Sequence, residues 1–366
     1  MEETWRWIGP NDTVTLEQIR QAGATGIVTA LDHVPTGEAW PAADIEERKR
    51  LIEEAGLTWS VVESVPLHND IKTRSGDYRR HIDNYKESLR NLGAAGIHRV
   101  CYNFMPVVDW TRTNLTYELP NKAQALRFEM TDFAAYDIFV LERKGARDSY
   151  SPAVVERATK HFESMSPQAR EALEKNIIAG LPGGEGSYDR DGIRAAIEQF
   201  IKLGNDGYRA NLFAFLEEII PVAEDAGIVM AIHPDDPPFS LFGLPRVVST
   251  ADDARVILNA VPSPSNGLTM CAGSYGARGD SFTTASTSST CETSSARRTA
   301  HSTSPSTSRV TTTLSASSMP CSTRNNSAKG CHRRAAEFRC GPITATRWAR
   351  RNPTSAYGRG IRMPGA

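Results

Sequence analysis

The sequence predicts an α/β fold: a (β/α)8 TIM barrel, incomplete at its C-terminal strands and followed by a disordered tail. Three observations carry this. Short β-branched runs alternate with amphipathic helical stretches as far as about Cys271. The strand runs are almost continuously apolar, as expected of strands covered by helices in a parallel sheet. The composition then changes: from Ser281 onward roughly a third of the residues are Ser or Thr, and Glu292 and Glu337 are the only acidic ones. Such a segment has too little apolar surface to offset the entropy of ordering it. The chain therefore divides into a barrel over 1–280 and a Ser/Thr-rich, disordered stretch over 281–366.

The elements follow in order. Ala24 to Leu31 reads as a buried strand. A helix from about Ala43 to Ala55 ends at Gly56, placed as a C-terminal cap. Thr58 to Val65 is the next strand, and a helix over Tyr78 to Ala95 stops at Gly96. His98 to Phe104 forms a third strand. The stretch from about Thr113 to Arg190 is long for one connection and reads as helical decoration over the barrel mouth. Asn211 to Ala226 is a helix, Ile228 to Ile232 a strand, and Leu268 to Cys271 another. Gly180-Leu-Pro-Gly-Gly-Glu-Gly186 is a loop rather than a strand–helix turn, so no phosphate-binding fingerprint argues for an open dinucleotide-binding sheet.

Composition excludes several function classes. The 366 residues carry a net charge of -1, so no global field draws the chain to nucleic acid or to a membrane. The N-terminal MEETWRWIGP has neither a basic nor an apolar signal region, and no run is long enough to span a bilayer. Of the six cysteines, Cys291, Cys321, Cys331 and Cys340 lie in the tail, and Cys101 and Cys271 have no paired spacing. A reducing cytoplasm is the expected location, and homo-oligomerisation is left open.

Polar residues sit where the strands end: Asp32-His33, Glu63-Ser64, Asn103, His233 and Cys271. In a β/α barrel those ends share the face that carries the chemistry. His233 and Cys271 end strands separated by one β/α unit, which places an imidazole and a thiolate side by side. That pair is half of a transition-metal site, and the thiolate argues against magnesium or calcium. The competing reading is a turn-capping histidine beside a buried, inert cysteine. Asp235 is a candidate to orient the histidine from behind, whereas Asp236 reads as a turn residue bonding its own backbone. Arg112 is a candidate carboxylate clamp. Glu63, His68, His33, Tyr102 and Asn103 would line the same face as sugar-hydroxyl ligands or complete its loops.

Six blocks give a resemblance to a known family: TWRWIGP at Thr4, QAGATGIVTAL at Gln21, WSVVESVPLH at Trp59, VCYNFMPVVDWTRT at Val100, HPDDPP at His233 and PSPSNGLTMCAGS at Pro262. Together, in order, they resemble mannonate dehydratase, a family among the xylose-isomerase-like barrels. The resemblance implies dehydration of D-mannonate to 2-dehydro-3-deoxy-D-gluconate in hexuronate (glucuronate) breakdown, with Mn2+ or Fe2+ as cofactor and the sugar acid as the small-molecule partner. It implies a metal held by a His in the HPDDP block, a Cys in the GLTxC block, a later His and a later Asp. The first two fall on His233 and Cys271. A metal-dependent sugar isomerase or epimerase on the same barrel is the nearest alternative, and a non-catalytic remnant with a disordered tail is the other.

The later His and Asp belong to blocks resembling HFVHLRN and RPDHGH, which this chain lacks. The tail nevertheless hides both. Back-translated from Thr287 to Ser294 and read one nucleotide earlier, it can spell HFVHLRNV. From Cys340 to Trp348 the same shift can spell RPDHGHAM. Recovery of both blocks in one frame and in the right order indicates a frameshift between about Arg278 and Ser281. The polypeptide as written would then lack half of its metal ligands and be unstable and inactive.

Overall fold

A computed structural model describes residues 2–108, 110–179 and 189–277, together with the short segment 313–315. The Gly180–Gly186 loop, the proposed slip near Arg278–Ser281 and the rest of the tail lie outside the described residues. Six strands run parallel: β1 (Thr4–Arg6), β2 (Gly26–Thr29), β3 (Thr58–Glu63), β4 (Arg99–Tyr102), β7 (Val229–Ile232) and β8 (Asn266–Thr269). They lie in that order, and β9 (Thr313–Ser315) joins β8 antiparallel. A closed barrel needs eight parallel strands. Among the described residues nothing pairs β1 with the far edge of the sheet, so the barrel is incomplete where the sequence expects.

Helices α1 (Leu16–Gln21), α2 (Ala42–Glu54), α3 (Asn69–Thr73) and α4 (Tyr78–Ala94) connect the first four strands. Gly56 and Gly96 stand just past α2 and α4 at φ 74° and 76°, a backbone that glycine reaches without a Cβ clash. The helix expected from Asn211 begins a few residues earlier: α8 (Arg190–Asp225) is two helical segments separated by a non-helical Gly204 (φ 68°, ψ 177°), and the second starts just after that glycine. β1 and α9 (Ala251–Ala260), the latter held by a Thr250/Asp253 capping box, complete the repeat.

The long connection after β4 differs from the expected all-helical decoration. It opens with an antiparallel hairpin, β5 (Asn114–Glu118) and β6 (Gln124–Arg127), before α5 (Met130–Phe139), α6 (Pro152–Ser164) and α7 (Pro167–Ala179). Along Asn114–Glu118 the polar residues alternate with Leu115 and Tyr117, the period of a half-exposed strand. Nor is it loosely attached: Phe133 packs on Phe242 with ring centroids 4.5 Å apart, so α5 joins the main core.

The core lies mainly between sheet and helices, where Ile27, Val62, Val100, Tyr102, Met230 and Ile232 meet residues such as Leu89, Phe215 and Ile219. On the other face of the sheet Val28, Val61 and Cys101 form a small separate cluster. This alternation decides which strand residues point toward the site and which are lost to the helix layer.

Candidate metal and substrate site

His233 follows β7 directly, and its backbone N–H donates to the Tyr102 carbonyl at 2.7 Å, which keeps β7 and β4 in register past their ends. The side chain is 1% exposed. Its Nδ1 lies 2.7 Å from the Pro234 carbonyl, an atom that can only accept, so the proton sits on Nδ1 and the lone pair on Nε2. This is the arrangement metal-binding histidines use, with the outer nitrogen donating to a backbone oxygen. The Trp110 ring lies 5.1 Å from the imidazole.

Cys271 follows β8 at the mouth of α10 (Ala272–Ala277) and is buried. A chain of contacts ties it to the loops on either side. Ser274 Oγ lies 3.3 Å from Cys271 Sγ and 3.3 Å from Asp236 Oδ2. Asp236 in turn accepts from both terminal nitrogens of Arg112 at 3.1 and 3.2 Å. The loops after β4, β7 and β8 are thus locked together beside the two candidate ligands. One buried imidazole nitrogen and one buried thiol form a donor set suited to a borderline transition metal, so His233 and Cys271 could hold such an ion.

Several expectations need correction. Asp235 does not orient His233: its Oδ2 accepts from Val248 N (2.9 Å) and Ser249 Oγ (2.7 Å), bracing the 247–249 segment. Burial pushes its carboxyl above the ordinary value, partly offset by Arg246, whose Nη1 lies 3.6 Å from Oδ1. The Pro234 carbonyl takes the orienting role instead. Asp236 does more than shape its own turn, because Arg112 takes its carboxylate across the site. Arg112 in turn clamps a protein carboxylate and the Thr111 carbonyl. Tyr102 faces away from the site: it is fully buried in the sheet–helix layer, its ring 6.0 Å from Phe215, and burial raises its hydroxyl pKa.

The remaining residues divide in two. Glu63 and Asn103 are buried at the ends of β3 and β4, and Glu63 Oε2 lies 3.8 Å from Arg6 Nη1. Asp32, beside Arg6 and Arg48, carries a carboxyl raised chiefly by burial, which outweighs both guanidinium charges. His33 turns outward to pair with Asp44 at 2.7 Å, and His68 stacks on His81. Trp110 and Ser274 escaped the sequence reading. Neither has a spacing signal, since only the folded loops bring them to His233 and Cys271.

A parallel sheet flanked by helices, with an imidazole and a thiol just past adjacent strand ends, defines a protein of the β/α-barrel class. Comparison with known proteins names the family. The model for D-mannonate dehydratase (UxuA) matches residues 1–286, and the chain belongs to that family of hydro-lyases. It is 67% identical over 280 residues to the mannonate dehydratase of Saccharophagus degradans, covering 76% of this chain and 70% of that protein. Identity to mannonate dehydratase 2 of Agrobacterium fabrum is 56% over the same length. The crystal structure of mannonate dehydratase from Streptococcus suis serotype 2 superposes with a TM-score of 0.57 at 38% identity; the match covers 76% of this chain and 66% of that one.

Proposed function

We propose that the gene encodes a mannonate dehydratase, converting D-mannonate to 2-dehydro-3-deoxy-D-gluconate and water in cytoplasmic hexuronate breakdown. The observation that carries this reading is the placement of His233, with its Nδ1 proton on the Pro234 carbonyl, and of Cys271 just past the ends of the neighbouring strands β7 and β8 in a chain belonging to this family. The elimination removes a proton beside a carboxylate and expels the adjacent hydroxyl. When bound, Mn2+ or Fe2+ supplies Lewis-acid polarisation of the substrate oxygens. His233 and Cys271 would hold it. Arg112 keeps the Asp236 loop closed against Ser274 and Cys271, so it acts as a positioning residue. Glu63 and Asn103 line the strand ends where the sugar acid would lie.

We propose further that this 366-residue polypeptide is inactive, because its reading frame slips near Arg278. The family match stops at residue 286, while the Saccharophagus protein extends beyond the 70% that is matched. The hidden HFVHLRN and RPDHGH blocks supply the ligands that would follow. Two ligands of four do not fix a coordination geometry, and an open strand edge leaves backbone groups unpaired.

The test compares two proteins with added manganese: the 366-residue chain, and one from DNA carrying a compensating single-base change near codon 279. Keto-deoxy acid formed from mannonate by the second alone supports both proposals. Turnover by the 366-residue chain refutes its inactivity. Failure of the corrected chain to dehydrate mannonate refutes the assignment, and formation of an isomer would favour an isomerase or epimerase.

A further inference from the structure

A second cluster of metal-binding groups lies away from His233 and Cys271. His68, at the N-cap of α3, stacks on His81 in the first turn of α4, with ring centroids 4.0 Å apart and planes inclined by 19°. Asp70 completes the cluster. Its Oδ2 lies 3.7 Å from His68 Nδ1 and 3.8 Å from His81 Nε2, and one ligand atom from each of the three residues falls within 4.8 Å of the others.

Hydrogen bonding fixes which nitrogens keep their lone pairs. His81 Nδ1 sits 3.0 Å from the Gly37 carbonyl, which can only accept, so the proton is on Nδ1 and Nε2 is an acceptor. His68 Nδ1 accepts the Asp70 backbone N–H at 3.1 Å and is an acceptor as well. Asp70 Oδ2 accepts the Asp77 N–H. Three acceptor atoms thus stand together with no hydrogen bond between any two of them; two take a backbone N–H, and a cation would draw on all three. The packing is tight on both sides. A Cβ at Gly37 would stand 2.4 Å from His81 Nδ1, and one at Gly76 would stand 2.4 Å from Asp70 Oδ2.

From this geometry we propose that His68, Asp70 and His81 bind a divalent transition metal of the zinc class, separate from the cation of the dehydratase reaction. Two imidazoles and one carboxylate are a common donor set for such ions. Tetrahedral ligands held at about 2.1 Å stand about 3.4 Å apart, so two of the three pairs need to close by only a few tenths of an ångström. His81 is already braced by a backbone carbonyl in the manner of a metal-binding histidine. His68 turns out of its stack to aim Nδ1 at the ion and gives up the Asp70 amide; its side chain is 30% exposed, leaving room for the turn. The ion ties the loop after β3 to the start of α4 and, through Gly37, to the loop after β2. It acts as a clamp on the strand-end face and does not depend on the dehydratase assignment.

Zinc titration of the metal-free 366-residue chain carrying Cys271→Ser, with Cys291, Cys321, Cys331 and Cys340 also changed to Ser so that no tail thiol competes for the ion, tests this by competition with a chromophoric chelator and by melting temperature. One equivalent should bind and raise the melting temperature, because a ligand of the native state stabilises it. Adding His68→Ala or Asp70→Asn should weaken that binding by about tenfold or more and abolish the thermal shift. His68→Ala should leave the metal-free circular dichroism spectrum unchanged, which separates ligand loss from misfolding. The same titration on the frame-corrected chain keeps the test open if the 366-residue chain does not stay soluble. Absence of the equivalent, or equal zinc affinity with and without His68 and Asp70, overturns the site and leaves the cluster as a hydrogen-bonded turn.

Discussion

Arg112 and Asp236, 124 positions apart in sequence, share two hydrogen bonds of 3.1 and 3.2 Å with both side chains buried. A two-point guanidinium–carboxylate pair fixes angle as well as distance. Through Ser274 it carries that order to Cys271.

Removing one partner strands the other charge in a buried site, which typically costs about 3–5 kcal/mol. Arg112→Ala and Asp236→Ala should each destabilise the frame-corrected protein on that scale in urea titrations. Arg112→Lys should fall between wild type and alanine, since an ammonium meets the carboxylate as a point charge. A wild-type midpoint for Arg112→Ala would show that the pair contributes nothing.

Metal loss should follow the two strand-end donors. In the frame-corrected enzyme, His233→Ala and Cys271→Ser should each weaken manganese binding more than the roughly 10–100-fold that outer-shell changes cost. Asp235→Asn, whose partners lie in the 247–249 segment, should weaken it less. Equilibrium dialysis decides between these orders.

Asp32 makes stability depend on pH. Burial raises its native pKa, so the folded chain holds that proton more tightly than the unfolded chain does. Its contribution to stability therefore falls as pH climbs from the ordinary carboxylate range through the raised native value. Asp32→Asn should melt higher than wild type at neutral pH, and the gain should vanish in acid below the ordinary carboxylate range. A difference independent of pH would contradict the burial argument.

Among the described residues the Tyr102 hydroxyl has no hydrogen-bond partner, and it lies deep in the helix-facing layer. A buried unsatisfied polar group costs about 1–3 kcal/mol. Tyr102→Phe should therefore be neutral or stabilising by about 1 kcal/mol and leave kcat and KM of the corrected enzyme unchanged. A rise in KM for mannonate would return Tyr102 to the substrate site.

The sequence by itself determined the alternation of strands and helices, the break in composition near residue 280 and the two strand-end donors. Those signals are local: apolar period, glycine caps at Gly56 and Gly96, and residue type at strand ends. Even so, β1 was too short to register, and the hairpin after β4 was hidden within a stretch read as helical. Tertiary structure alone decided what each polar side chain meets. Tyr102 and Glu63 both end apolar strands, yet one enters the helix layer and the other pairs with Arg6, because strand register sets which face a residue takes. Asp235 and Asp236 are adjacent, yet one braces Val248 and Ser249 while the other takes Arg112. No spacing in the chain encodes those choices, since each partner arrives from a different loop and only the assembled strand ends bring them within hydrogen-bonding reach.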